Sequence, residues 1–162
     1  MNYRSDIDGL RALAVLPVVL YHLGLPEFSG GYVGVDVFFV ISGYLITGII
    51  WREVQQRNFS LVRFYERRAR RILPALFVVI AFSAAIGLFI LTPEELVNFG
   101  QSVLGSVFFV QNFVLGAQSG YFDAASETKP LLHIWSLAVE EQFYIFFPLV
   151  LILVGNRLRR SW

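Results

Sequence analysis

The chain has 162 residues, of which 56% are hydrophobic and 15% charged, and its formal net charge is +1. A soluble domain carries roughly 25% charged residues, so this composition, with a mean hydropathy of +0.63, excludes a freely dissolved globular protein. The chain has no cysteine, which removes disulfides, thiolate nucleophiles and cysteine metal sites together.

A bilayer core takes about 20 apolar residues in a helix. The apolar runs predict helices over about 9–25, 33–51, 72–91 and 137–155. A fifth run, 96–116, is ambiguous: Asn98, Gln101, Ser102, Gly105, Phe109 and Asn112 recur at helical spacing, so one stripe is mostly polar or small. Thr92 followed by Pro93 reads as a helix start. Asp6, Asp8 and His22 argue against a cleaved leader in the first run, because no small-residue cleavage pattern follows closely. The expected fold class is therefore all-α, a polytopic transmembrane bundle of four to five hydrophobic helices.

Basic residues gather at Arg4 and Arg11, from Arg52 to Arg71, and from Arg157 to Arg160. The positive-inside rule puts all three groups in the cytoplasm. The N-terminus is then cytoplasmic, 52–71 is a cytoplasmic arginine-rich loop, and 117–136 is an extracytoplasmic loop. This arrangement requires that 96–116 does not cross fully. It also places His22, Asp36 and the pair Glu140/Glu141 near one outer level on three separate segments.

Ionisable groups at such depths are costly and functional by default. The structural reading of the two glutamates is a first-turn pair favoured by the helix dipole. Arg11 and His22 lie eleven residues apart, which returns them to within about 20° of one helical face and about 16 Å along it. Singly, His22 reads as a packed neutral histidine and Arg11 as a snorkelling anchor. The stretch "RFYERRARRILPAL" carries five arginines and no lysine. It serves either as a topology anchor or as a phosphate site, for which forked guanidiniums are better suited than ammoniums. With His22 and His133 as the only histidines, no metal is expected. There is no GxSxG pattern; Ser42 reads as a packing residue and Ser136 as a helix cap. No nucleic-acid partner is expected.

"DGLRALAVLPVVLYH", "GGYVGVDVFFVISGYLITGII", "FYERRARRILPAL" and "PLLHIWSLAVEEQFY" occur in this order. Together they closely resemble the membrane acyltransferase-3 family, O-acetyltransferases of bacterial cell-surface glycans such as lipopolysaccharide and peptidoglycan. The resemblance implies an acyl-CoA donor, usually acetyl-CoA, as co-substrate, with no permanently bound cofactor. It implies a carbohydrate or lipid-linked glycan acceptor and a multi-pass position in the bacterial inner membrane, in contact with lipid.

The family's essential arginine and histidine match Arg11 and His22. Its paired arginines match Arg68 and Arg71 best, with Arg67 and Arg70 the other pair. Its last motif matches Trp135, Ser136, Glu140, Glu141, Gln142 and Tyr144. His22 is then the expected general base, with Asp36 or Glu140 orienting its imidazole, and the arginines hold donor phosphates. The family domain has more spans than 162 residues can hold, so 1–162 is expected to be its N-terminal part, completed by further C-terminal spans or a partner chain. The competing readings are a transporter or proton-pathway subunit and a non-catalytic membrane fragment.

Overall fold

A computed structural model of the chain describes residues 4–118 and 128–160, with side chains through Leu153. Every regular element among them is helical: α1 Ser5–His22, α2 Gly34–Gln55, α3 Leu61–Ile90, α4 Pro93–Val107, α5 Gln111–Ala117 and α6 Ile134–Arg160. The chain forms two compact units, Met1–Asn58 and Phe59–Trp162.

The first unit is a hairpin of α1 and α2, joined by two single turns of 3-10 helix at Pro26–Phe28 and Gly31–Val33. Its buried positions, Ile7 and Ala14 on α1 and Ser42, Ile46 and Ile50 on α2, follow helical spacing. Glycine makes the close approach possible. A Cβ at Gly34 would collide with the Ala14 carbonyl oxygen, and one at Gly31 with that of Pro17.

In the second unit, α3 opens on Ser60, whose hydroxyl accepts from the Arg63 N–H at 3.4 Å. Leu76, Phe99, Leu131 and Ile134 form its apolar core, with Leu73, Ile80, Ala84, Leu91, Val103, Phe109 and Leu137 around them. The start of α4 is a capping box: Thr92 N–H donates to Glu95 Oε2 at 2.8 Å, and Glu95 N–H donates to Thr92 Oγ1 at 3.4 Å.

The ambiguous run divides into α4 and α5, of 15 and 7 residues. At about 1.5 Å per residue neither spans a core of about 30 Å. The break lies at Phe109, whose φ of 55° is left-handed and costs a non-glycine residue energy. The Gln142 amide nitrogen holds it by donating to the Phe109 carbonyl at 2.7 Å and to Asn112 Oδ1 at 2.9 Å.

Three helical stretches among the described residues are long and apolar enough to cross a membrane: Gly31–Gln55, Leu61–Ile90 and Ile134–Leu153. The first helix differs because 18 residues carry Asp6, Asp8 and Arg11. Large apolar side chains stand outward, with Phe89 at 91% and Val40 at 73% exposure, as in a protein whose solvent is lipid. The chain is a membrane protein.

Two expected boundaries move. The segment 52–71 is not a loop: α2 runs to Gln55 and α3 begins at Leu61, so Arg63, Arg67, Arg68, Arg70 and Arg71 are helical. The expected loop 117–136 falls largely on 119–127, outside the described residues, and its last part, from Ile134, belongs to α6.

Gly34→Ala should destabilise the hairpin by about 1–3 kcal/mol through overpacking, read as a lower melting temperature in detergent; an unchanged melt would refute the close approach. Glu95 is held below the ordinary carboxylate range, because the Thr92 backbone and hydroxyl bond its charged form. A depressed folded value means that the cap stabilises fully above the unfolded value of about 4.3 and less as pH falls through the folded one. Thr92→Val should therefore flatten the fall in melting temperature between about pH 6 and pH 3; an equally steep fall would assign it elsewhere.

Candidate functional site

The polar groups of the second unit converge on Arg68, on the second turn of α3. Its guanidinium donates through Nη2 to Glu141 Oε1 at 2.9 Å, and the two side chains are 15% and 8% exposed. The flat face of the guanidinium lies 3.7 Å from the centroid of the Tyr144 ring, a cation–π contact whose value rises with desolvation. Tyr144 in turn donates its hydroxyl to Glu140 Oε1 at 2.5 Å. Arg68 Nε is buried without a hydrogen-bond partner, so the pair has desolvated more of the guanidinium than it satisfies.

This contact corrects the expected depths. Arg68 at an inner mouth and Glu141 at an outer one would be separated by a membrane's thickness, yet they touch. The cause is the stagger of the two helices: Arg68, the eighth residue of α3, lies level with Glu141 of α6, which begins at Ile134 rather than near 137. Glu140 and Glu141 are its seventh and eighth residues, beyond the first turn in which a helix dipole favours carboxylates. The same pairing runs α6 antiparallel beside the arginine-bearing turns of α3: Tyr65 donates its hydroxyl to the Ile145 carbonyl at 2.8 Å.

The remaining arginines differ from Arg68. Arg67, Arg70 and Arg71 are exposed, and Arg70 pairs with Glu66 at 2.7 Å on the helix surface, a contact of little energetic weight. Ser136 donates its hydroxyl to the His133 carbonyl at 3.1 Å, within the turn that starts α6. Trp135 is 38% exposed.

In the first unit, Arg11 and His22 share α1 as expected. The Arg11 guanidinium carbon stands 5.2 Å from the Phe38 ring centroid. The His22 imidazole closes α1: Nδ1 lies 2.8 Å from the Val18 carbonyl oxygen, and the ring meets Tyr21 edge-on at 5.2 Å. A carbonyl only accepts, so Nδ1 carries the proton in this arrangement and the neutral ring keeps its lone pair on Nε2. The orienting role expected of Asp36 or Glu140 is therefore filled at Nδ1 by the backbone. Asp36 stands exposed on the first turn of α2, and Glu140 receives Tyr144.

Tyr65, Gln118 and Lys129 were not singled out from the sequence. Tyr65 lies within the arginine stretch, and its hydroxyl had no visible partner because the helical contact to Ile145 is 80 residues away. Among the described residues there is no cluster of three metal-ligating side chains.

Removing one member of the buried pair should cost about 3–5 kcal/mol. Arg68→Met and Glu141→Leu should each lower unfolding stability in detergent by this order, and the double variant should lose much less than the sum. Strict additivity would show that the contact carries no coupling.

The sequence profile of the acyltransferase domain family (acyltransferase 3) matches residues 4–162. The chain is 41% identical over 154 residues to the Staphylococcus aureus (strain MSSA476) protein named "Putative O-acetyltransferase SAS0844", covering 94% of this chain and 25% of that one. It is 39% identical over 159 residues to O-acetyltransferase OatA of Staphylococcus aureus (strain NCTC 8325 / PS 47), covering 98% and 26%. The chain thus spans about a quarter of the length of these curated relatives. No solved structure matches it.

Proposed function

Because the chain belongs to the acyltransferase-3 family, we propose that it serves to transfer an acyl group, acetyl in the simplest case, from acyl-CoA to a hydroxyl of a cell-surface carbohydrate. Relatives named O-acetyltransferases support the reaction class. The observation that carries the residue assignment is His22, with Nδ1 tied to the Val18 carbonyl and Nε2 left as the basic nitrogen.

In this reading Nε2 of His22 removes the proton from the acceptor hydroxyl as its oxygen attacks the thioester carbonyl carbon. The carbon–sulfur bond then breaks, and the departing thiolate takes the proton back from the imidazolium. One ester forms, one thioester is consumed, and the histidine ends neutral. A histidine suits this shuttle because its ordinary pKa of about 6.5 lies close to neutrality. Asp36, in the same unit, is assigned to stabilise the transient imidazolium.

The donor's phosphates are assigned to the exposed guanidiniums Arg67, Arg70 and Arg71. Arg68 is a positioning residue, because Glu141 and Tyr144 already occupy its charge and its face. The arginine-bearing face is assigned to the cytoplasm of the inner membrane, where acyl-CoA is made, and the N-terminus to the same side.

His22→Ala should reduce acyl transfer at least about 100-fold, the lower range for a lost general base, while leaving acetyl-CoA affinity within about twofold. Retained O-acetylation in the variant would remove His22 from the mechanism. Asp36→Asn should reduce turnover less than His22→Ala, and no change would release that carboxylate.

A further inference from the structure

In the first unit, the start of α1 and the end of α2 leave between them a groove of about 410 Å³, within the size range of small-ligand sites, about 300–1,000 Å³. Tyr44, Leu45, Gly48 and Ile49 of α2 form its floor, with Ile7 of α1 beside them. Trp51 and Arg52 stand at its mouth, close to the end of the membrane-crossing stretch Gly31–Gln55. The floor thus runs inward from headgroup level. From Arg52 back to Tyr44 is eight residues, about 12 Å of helix axis, in a hydrocarbon core about 30 Å thick.

We infer that this groove is a binding site for one anionic phospholipid, whose phosphate meets Arg52 and whose acyl chain lies along the floor. The inference is independent of the acyl-transfer reading. Arg52 is exposed and makes no ion pair among the described residues, and its forked guanidinium suits phosphate oxygens. Glu53, next in sequence, lies about 100° further round α2 and does not line the groove. The other cation of the lining, Arg4, is already neutralised: its Nε and Nη2 donate to Asp6 at 2.9 and 2.7 Å. The mouth therefore carries one uncompensated positive charge, at Arg52. Trp51, 45% exposed, puts an amphipathic ring at the same level, where headgroups meet hydrocarbon.

The floor selects among phosphate ligands. Thr47 donates its hydroxyl to the Gly43 carbonyl at 2.7 Å, and the Tyr44 hydroxyl bonds the Arg4 side chain. Both hydroxyls of the lining are thus engaged within the hairpin, and Ile7, Leu45 and Ile49 make the rest of it apolar. A Cβ at Gly48 would meet nothing within 4 Å, so the floor lies open there. Inorganic phosphate would leave this apolar surface bare, and the arm of a coenzyme A would bring its amides to a floor without ready partners. A phospholipid matches both halves, charge at the mouth and hydrocarbon on the floor.

The test uses the chain carrying Trp135→Phe and Trp162→Phe, which leaves Trp51 as its one tryptophan, in phosphatidylcholine vesicles. Quenching of Trp51 by brominated phosphatidylglycerol is compared with quenching by brominated phosphatidylcholine. Phosphatidylglycerol should quench saturably with about a fivefold preference, the scale set by one arginine near a membrane surface. The preference should fall to within about 1.5-fold in Arg52→Gln. It should fall as far in Gly48→Leu, whose side chain fills the groove where no neighbour stands in its way. Equal quenching by the two lipids, or a preference that survives in either variant, would overturn the site. Survival in Gly48→Leu alone would reduce Arg52 to a general surface attraction. Loss of the preference on adding coenzyme A or inorganic phosphate at fixed ionic strength would also overturn it, because the groove would then take a soluble phosphate. Spin-labelled forms of the two lipids repeat the comparison on the unmodified chain where the tryptophan background fails to fold, and equal binding there overturns the site.

Discussion

The contact between Arg68 and Glu141 fixes how the second unit is assembled. Two charges removed from water cannot be left apart, because each alone carries a penalty of several kcal/mol. Pairing them sets the register of α3 against α6, and Tyr144 seals the guanidinium face from the same side. The charged pair is costly by itself, so its worth lies in specifying one alignment of two apolar helices that could otherwise slide. Lipid-facing helices have little hydrophobic preference for one register over another.

Successive residues of α6 divide the work because a helix turns about 100° per residue. Glu140 receives Tyr144, Glu141 holds Arg68, and Gln142 clamps the left-handed break at Phe109. Three neighbouring polar side chains thereby tie α6 to itself, to α3 and to the α4–α5 junction. The two glutamates at the start of the apolar run are thus explained by partners within the unit, with the helix dipole making no contribution at their position. On the hairpin of the first unit, glycine plays the corresponding part by letting backbones meet where any side chain would intrude.

Much of this was legible in the sequence. The apolar runs of α2 and α3 were visible from length alone, Thr92–Pro93 announced the start of α4, and one helix carries Arg11 and His22 as their eleven-residue spacing requires. The motif order pointed to the family that the profile match then showed. Other features have no local signal. Phe109 adopts a positive φ without the glycine or asparagine that usually marks one, because Gln142, far along the chain, stabilises it. The true start of α6 was hidden because Ser136, directly before Leu137, reads as a helix cap, whereas its hydroxyl turns back to the His133 carbonyl in the first turn of the helix. The choice of Glu141 for Arg68 is a tertiary decision that no periodicity encodes, and it turned one of five similar arginines into a strut.

In the proposed reading the arginines divide, with Arg68 holding helices together and its exposed neighbours assigned to the donor. The most direct measurement is the binding of labelled acetyl-CoA to the chain in nanodiscs, comparing Arg67→Ala/Arg71→Ala with Arg68→Met/Glu141→Leu, each normalised to its folded fraction. The account predicts saturable binding that is lost in the first variant and kept within a few-fold in the second. Binding kept in the first and lost in the folded second would contradict it and return Arg68 to the donor site.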